Sequence, residues 1–174
     1  ESANCTRAER MTERPTILIV DDEKRSLESM VRILDDEFDV HTANTATEAL
    51  AILEREWVQV MVCDQRMPDV SGVTLLSQVR DQWPEIVRMI ISGYTDSDDI
   101  ISAINEAGIY QFISKPWHPD ELRLKLRNAV ELFEVQRQNE RLALELKLKP
   151  STLSAAIQSK RAALQERYDW EMGV

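Results

Sequence analysis

Apolar positions along this chain recur with two periods. Short β-rich runs at 16–20, 38–43, 58–63, 86–91 and 110–114 predict five strands. Between them apolar residues return every three or four positions: Leu27, Met30, Val31 and Leu34, then Ala46, Ala49, Leu50 and Leu53, then Leu75, Leu76 and Val79, then Ile100, Ile101 and Ile104. That spacing makes the apolar stripe of an amphipathic helix. Strands alternating with helices predict an α/β domain, a parallel five-stranded sheet covered on both faces in three αβα layers. Thr45 and Glu48 have the spacing of a capping box at the start of the second helix.

The last helical pattern starts near Pro119, a residue favoured at the first helical position. It runs through Leu122, Leu126, Val130 and Phe133, which would close the sheet, and meets no stop signal before Pro150. The surplus beyond the domain carries Leu132, Val135, Asn139, Leu142 and Leu146 at spacings of three and four, a candidate coiled-coil seam with a polar Asn inside it. A solvated helix extension is the competing reading. Pro150 would break the helix, and the Ala-rich stretch 151–168 predicts another. Residues 1–14 are polar without periodicity and predict a disordered leader. The expected organisation is therefore leader 1–14, α/β domain 15–135 and helical linker 136–174, the linker serving a homodimer.

Chemistry collects where the predicted strands end. The first run stops at Asp21 and Asp22, the third at Asp64 followed by a Pro/Gly loop, the fourth at Ser92, and the fifth leads into Lys115 and Pro116. In open α/β sheets ligands bind beyond the carboxyl ends of the strands. Singly, each residue has an ordinary role: Asp pairs cap helices, Ser-Gly makes turns, and Lys before Pro sits in exposed loops. Together they would bring three carboxylates, a hydroxyl and an ammonium to one point. Such a cluster suits Mg²⁺ and a phosphoryl group, because a carboxylate attacks phosphorus only when charge repulsion is cancelled.

Charge sharpens this expectation. The net charge of −10 lies wholly in residues 1–130, which hold 24 Asp and Glu against 14 Lys and Arg. Residues 131–174 hold seven of each. The acidic part repels a nucleic-acid backbone and argues against direct DNA contact. No apolar run reaches the roughly 20 residues of a membrane span, and the polar start lacks a signal-peptide core, so a cytoplasmic protein is expected. Cys5 and Cys63 lack metal or redox spacing, and Cys63 in an apolar strand reads as buried filler.

The segments VDDE at 20–23, CDQRMPDVSG at 63–72, IISGYTD at 90–96 and FISKPW at 112–117 closely resemble the receiver domain of two-component response regulators. The resemblance covers residues 15 to about 135 and implies a flavodoxin-like fold. It further implies that Asp64 accepts a phosphoryl group from the phosphohistidine of a sensor histidine kinase. In that reading Asp22, Asp64 and the backbone carbonyl of Arg66 bind Mg²⁺, Asp21 acts through water, and Ser92 and Lys115 engage the phosphoryl group. The Lys115–Pro116 bond is expected to be cis. Phe112 would be the switch aromatic coupled to Ser92, and its alternative is a core filler. The readout would be a repacked surface over residues 93–127 that favours one dimer over another. Arg66 and Tyr94, beside the path of an attacking water, would lengthen the life of the phosphorylated state.

The loop wording, with INEAGIYQFISKPWHPDEL and the extension through LALELKLKP, resembles NtrC-type regulators of hydrogenase synthesis, of the HupR and HoxA kind. Their chains continue into an ATPase domain and a DNA-binding helix-turn-helix, while no GxxxxGK[ST] loop occurs here. The expectation is a phosphoacceptor module of a longer transcription factor rather than an enzyme, self-phosphorylating and self-dephosphorylating with Mg²⁺. Two other classes compete with it: a constitutive dimerisation module that needs no phosphate, and a metal-dependent phosphatase using Asp64.

Overall fold

A computed structural model describes residues 14–93 and 107–148. Within it run β1 (Thr16–Val20), α1 (Lys24–Leu34), β2 (Asp39–Ala43), α2 (Ala46–Arg55), β3 (Val60–Asp64), α3 (Gly72–Gln82), β4 (Val87–Ser92), β5 (Gln111–Ser114) and α4 (Pro119–Leu148). All pairings are parallel, in the order β2-β1-β3-β4-β5. The expected flavodoxin-like sheet is the one observed. The predicted leader, the helical pattern at Ile100–Ile104 and the predicted helix 151–168 lie outside the described residues.

Alternation along the central strands explains the layers. Leu18, Val20, Met61, Cys63 and Ile90 face a core shared with Ala49, Ile52 and Leu53 of α2 and Leu75, Leu76 and Val79 of α3. Their neighbours Ile17, Ile19, Val60, Val62, Met89 and Ile91 face the other side, with Leu27, Met30 and Leu34 of α1 and Leu122, Leu126, Ala129 and Phe133 of α4. Strands buried on both faces carry unbroken apolar runs, which is why β1 and β3 stand out in the sequence. Cys63 is buried there as a filler, and burial pushes its thiol pKa upward.

Strand ends depart from expectation by one or two residues. Val58 is buried but precedes the ladder, which for β3 begins at Val60. At the other end the ladder takes in Asp64 and Ser92 themselves, because the Gln65 amide donates to Ile91 O at 2.9 Å and the Lys115 amide to Ser92 O at 2.9 Å. The chemical groups thus sit on the last paired residue, where the sheet fixes their backbone. The Thr45 hydroxyl caps α2 by accepting from the Glu48 amide at 3.2 Å, while Glu48 accepts from Asn44 N–H at 2.8 Å, one residue before the expected partner.

Two other ties matter below. Arg88 of β4 grips the amino-terminal edge of the sheet, donating to the carbonyls of Ile86, Pro84, Ala107 and Gly108 at 2.9 to 3.3 Å. The helix α4 is fastened to α1 by Arg123 Nε, which donates to Ile33 O at 3.0 Å, and to the segment after α1 by Arg127 Nε, which donates to Glu37 at 2.7 Å. The chain divides into two compact units between Glu134 and Val135, inside α4. Among the seam residues Leu132 packs on the core of the first unit, whereas Val135, Asn139, Leu142 and Leu146 are exposed.

Candidate functional site

The sheet order turns the sequence motifs into a site. The chain leaves β1 for β2 on one side and places β3 on the other, so the carboxyl ends of β1 and β3 flank the point where the strand order reverses. Asp21 follows β1 directly and Asp64 ends β3, with Val20 in register with Cys63. Their carboxylate oxygens and that of Asp22 lie within 4.8 Å of one another. Asp21 and Asp64 are buried and Asp22 is exposed.

Lys115 faces this acidic group. Lys115 Nζ stands 3.1 Å from Asp64 Oδ1 and 3.7 Å from Asp21 Oδ2. It follows β5 and precedes a cis peptide bond to Pro116, as expected. Ser92, buried at the end of β4, is in register with Ser114, so β4 and β5 deliver Ser92 and Lys115 to the same edge.

Burial dominates the electrostatics. It is the largest influence on Asp21 and on Asp64, and it holds both carboxyl pKa values above the ordinary aspartate range. For Asp64 the Lys115 ammonium and the Arg66 backbone N–H oppose burial without cancelling it. For Asp21 the Glu23 N–H, which donates to Oδ1 at 2.9 Å, does the same, while the neighbouring Asp64 charge adds to the rise. Lys115 is also affected first by burial, which disfavours its charge, but Asp64 and Asp21 outweigh it and its pKa is raised.

The donor set fits a hard divalent cation. Among the described residues Asp21 Oδ2 is buried without a hydrogen-bond partner, with the Lys115 ammonium 3.7 Å away as its counter-charge, and carboxylate oxygens are the ligands Mg²⁺ prefers. A group so placed is costly unless a cation meets it.

The loop after β3 supplies two residues whose roles are not apparent from the sequence pattern. Gln65 is buried and its side-chain oxygen accepts from Val73 N–H at 3.1 Å, while its carbonyl accepts from Gly72 N–H at 3.0 Å. The start of α3 is thereby pulled against the end of β3. A Cβ on Gly72 would lie 2.3 Å from the Asp64 carbonyl oxygen, so a side chain there would collide with the backbone of the central acid. Only the glycine in DVSG hinted at such an approach.

The other anticipated residues fall as follows. Arg66 is exposed, one turn of loop beyond Asp64. Phe112 is 45% exposed on the edge strand β5, which rules out the core-filler alternative. Tyr94 lies outside the described residues.

The chain is similar to known proteins. The chain is 51% identical over 156 residues to the hydrogenase transcriptional regulatory protein HoxA of Cupriavidus necator, covering 90% of this chain and 32% of that one. It is 31% identical over 150 residues to the alginate biosynthesis transcriptional regulatory protein AlgB of Pseudomonas putida, covering 86% of this chain and 33% of that one. The chain therefore spans about a third of the length of these curated relatives. Among solved structures, the signal receiver domain of an HD domain-containing protein from Pseudomonas fluorescens superposes with a TM-score of 0.70 at 36% identity, covering 73% of this chain and 94% of that one. NtrX from Brucella abortus gives 0.70 at 32% identity, covering 75% of this chain and 30% of that one. The family model for the response regulator receiver domain matches residues 17–127, and with the acid cluster at the β1–β3 edge this chain belongs to that family.

Proposed function

We propose that this chain is a phosphorylation-dependent switch: Asp64 accepts a phosphoryl group from the phosphohistidine of a sensor histidine kinase, and the change controls a transcription-activating remainder of a longer protein. The observation that carries the reading is the convergence of Asp21, Asp22 and Asp64 within 4.8 Å, with Lys115 at 3.1 Å from Asp64. In the transfer an Asp64 carboxylate oxygen forms the new O–P bond as the P–N bond breaks, and the imidazole leaves. Asp22, Asp64 and the Arg66 carbonyl, with Asp21 through water, would hold Mg²⁺, which when bound would supply positive charge against the repulsion between carboxylate and phosphoryl group. Lys115 balances the charge of the phosphoryl oxygens and Ser92 donates its hydroxyl to one of them. The domain does not turn over a separate substrate; it carries the group and loses it by self-dephosphorylation.

HoxA and AlgB are named as transcriptional regulatory proteins, which supports transcription regulation as the output, and the name of HoxA supports the hydrogenase kind. ATPase and DNA-binding domains would then follow in the full-length protein, which would act in the cytoplasm. The proposed homodimer uses the exposed Val135, Asn139, Leu142 and Leu146, spaced four, three and four apart on α4, with Leu132 at the edge of the domain core. That exposure also favours the second reading, a linker that dimerises without phosphate.

Light scattering with and without Mg²⁺ plus beryllofluoride, a phosphoryl mimic, tests both on the wild type and Asp64→Ala. A change of assembly in the wild type alone supports the switch. Dimers in every condition support constitutive dimerisation, with any signal passing inside the dimer. Withdrawing Mg²⁺ is expected to abolish the beryllofluoride response, and a response that survives would remove the metal from the reading.

A further inference from the structure

Among the described residues the ammonium of Lys125 in α4 meets two, Glu121 and Phe112. It pairs with Glu121 Oε1 one turn earlier at 2.6 Å, donates to the Phe112 carbonyl at 3.3 Å, and stands 6.0 Å from the centroid of the Phe112 ring. Lysine is ordinarily among the most exposed residues. Here only 16% of the side chain meets solvent, while Phe112 beneath it remains 45% exposed.

Glu121 lies in the first turn of α4, where the helix dipole favours a carboxylate, and its pairing steers the ammonium toward β5. The bond to the Phe112 carbonyl is blind to the side-chain rotamer. The contact with the ring is not, because it exists only while the ring stays beneath the ammonium.

We propose that Lys125 is a positioning residue that holds Phe112 in its outward orientation and so opposes the response of β5 to phosphorylation of Asp64. The proposal rests on the proposed function and on Phe112 being the switch aromatic coupled to Ser92, and it takes the ring to leave its exposed position when Ser92 engages the phosphoryl group. A cation over an aromatic face at a partly exposed site biases such an equilibrium about two- to fivefold. Whatever favours the outward state must weaken binding of the phosphoryl mimic by the same factor when that state predominates. Lys125 thus sets the threshold of the switch from the helix that leads to the linker.

The test is a beryllofluoride titration of the full chain in Mg²⁺, followed by fluorine NMR of the bound mimic. Lys125→Met is expected to lower the half-saturating concentration about two- to fivefold. Lys125→Arg keeps a cation over the ring and should restore the wild-type value. In a Phe112→Leu background, which retains apolar bulk without an aromatic face, Lys125→Met should change nothing. An unchanged titration for Lys125→Met overturns the proposal. So does an equal shift in both backgrounds, the mark of a merely structural tie between α4 and β5. If the wild type shows no bound signal that Asp64→Ala lacks, the reading of the site itself fails, and the latch with it.

Discussion

Gly72→Ala puts a single methyl group against the most constrained backbone in the domain. Its carbon would stand 2.3 Å from Asp64 O, 2.9 Å from Asp64 C and 3.0 Å from Gln65 Cα. Ordinary contact begins near 3.4 Å, so something must retreat by about 1 Å. Neither side yields easily: Asp64 is held in the β3–β4 ladder, and Gln65 is bonded through its amide to Ile91 O at 2.9 Å and through its carbonyl to Gly72 N–H at 3.0 Å. Overpacking of this kind costs about 1–3 kcal/mol. Alanine regains less than about 1 kcal/mol of helix propensity, since residue 72 is the first of α3. The expected net loss is about 1–2 kcal/mol, read as a lower midpoint in urea at unchanged slope. Because the atom struck is the carbonyl of Asp64, phosphorylation by a small phosphodonor should also slow under conditions where the variant remains folded. Gly93→Ala is the control, as among the described residues no atom beyond its chain neighbours lies within 4 Å of its Cβ position, and it should fall within about 0.5 kcal/mol of wild type. A Gly72→Ala protein with the wild-type midpoint and rate would refute the reasoning.

Two further outcomes can be checked. Glu37 pairs with Arg127, and that hydrogen bond holds its carboxyl below the usual value of 4.5. A depressed folded pKa contributes stability that is present above the unfolded value and lost as pH falls through the folded one. Glu37→Gln should therefore lower the urea midpoint at pH 7, with the gap to wild type narrowing below about pH 4.5; a gap independent of pH would remove the pair from the account. Arg66→Asn and Tyr94→Ala should each hasten decay of phosphorylated Asp64 by opening the path of water, and unchanged decay would show that neither residue guards it.

The central strands were legible because both their faces are buried, so β1, β3 and β4 are written as largely apolar words, whereas the edge strands β2 and β5 are half exposed and more polar. The acid cluster was legible because Asp21, Asp64, Ser92 and Lys115 sit at strand ends, and a parallel sheet brings such ends to one edge. Strand limits were less so, since ladder hydrogen bonds rather than apolar character decide whether Asp64 or Ser92 is the last paired residue. The collision at Gly72 and the burial of Gln65 depend on how closely α3 approaches β3, a distance that no local pattern encodes. Phe112, expected as the switch aromatic with a core filler as the alternative, could be placed only by the fold: it lies on an edge strand and is 45% exposed. Its companion Lys125 lies 13 residues away, on the next helix.

The grip of Arg88 on four carbonyls has a consequence for the site. Two of those carbonyls, of Ala107 and Gly108, mark where the chain re-enters the sheet, while Ser92, bonded through its carbonyl to Lys115, marks where it departs. Entry and exit are thus moored by groups outside the intervening stretch. The spacing between the end of β4 and the start of β5 is set by bonds that Arg88 and the β4–β5 ladder supply, so the same ties that close the sheet edge also keep Ser92 and Lys115 side by side at the site.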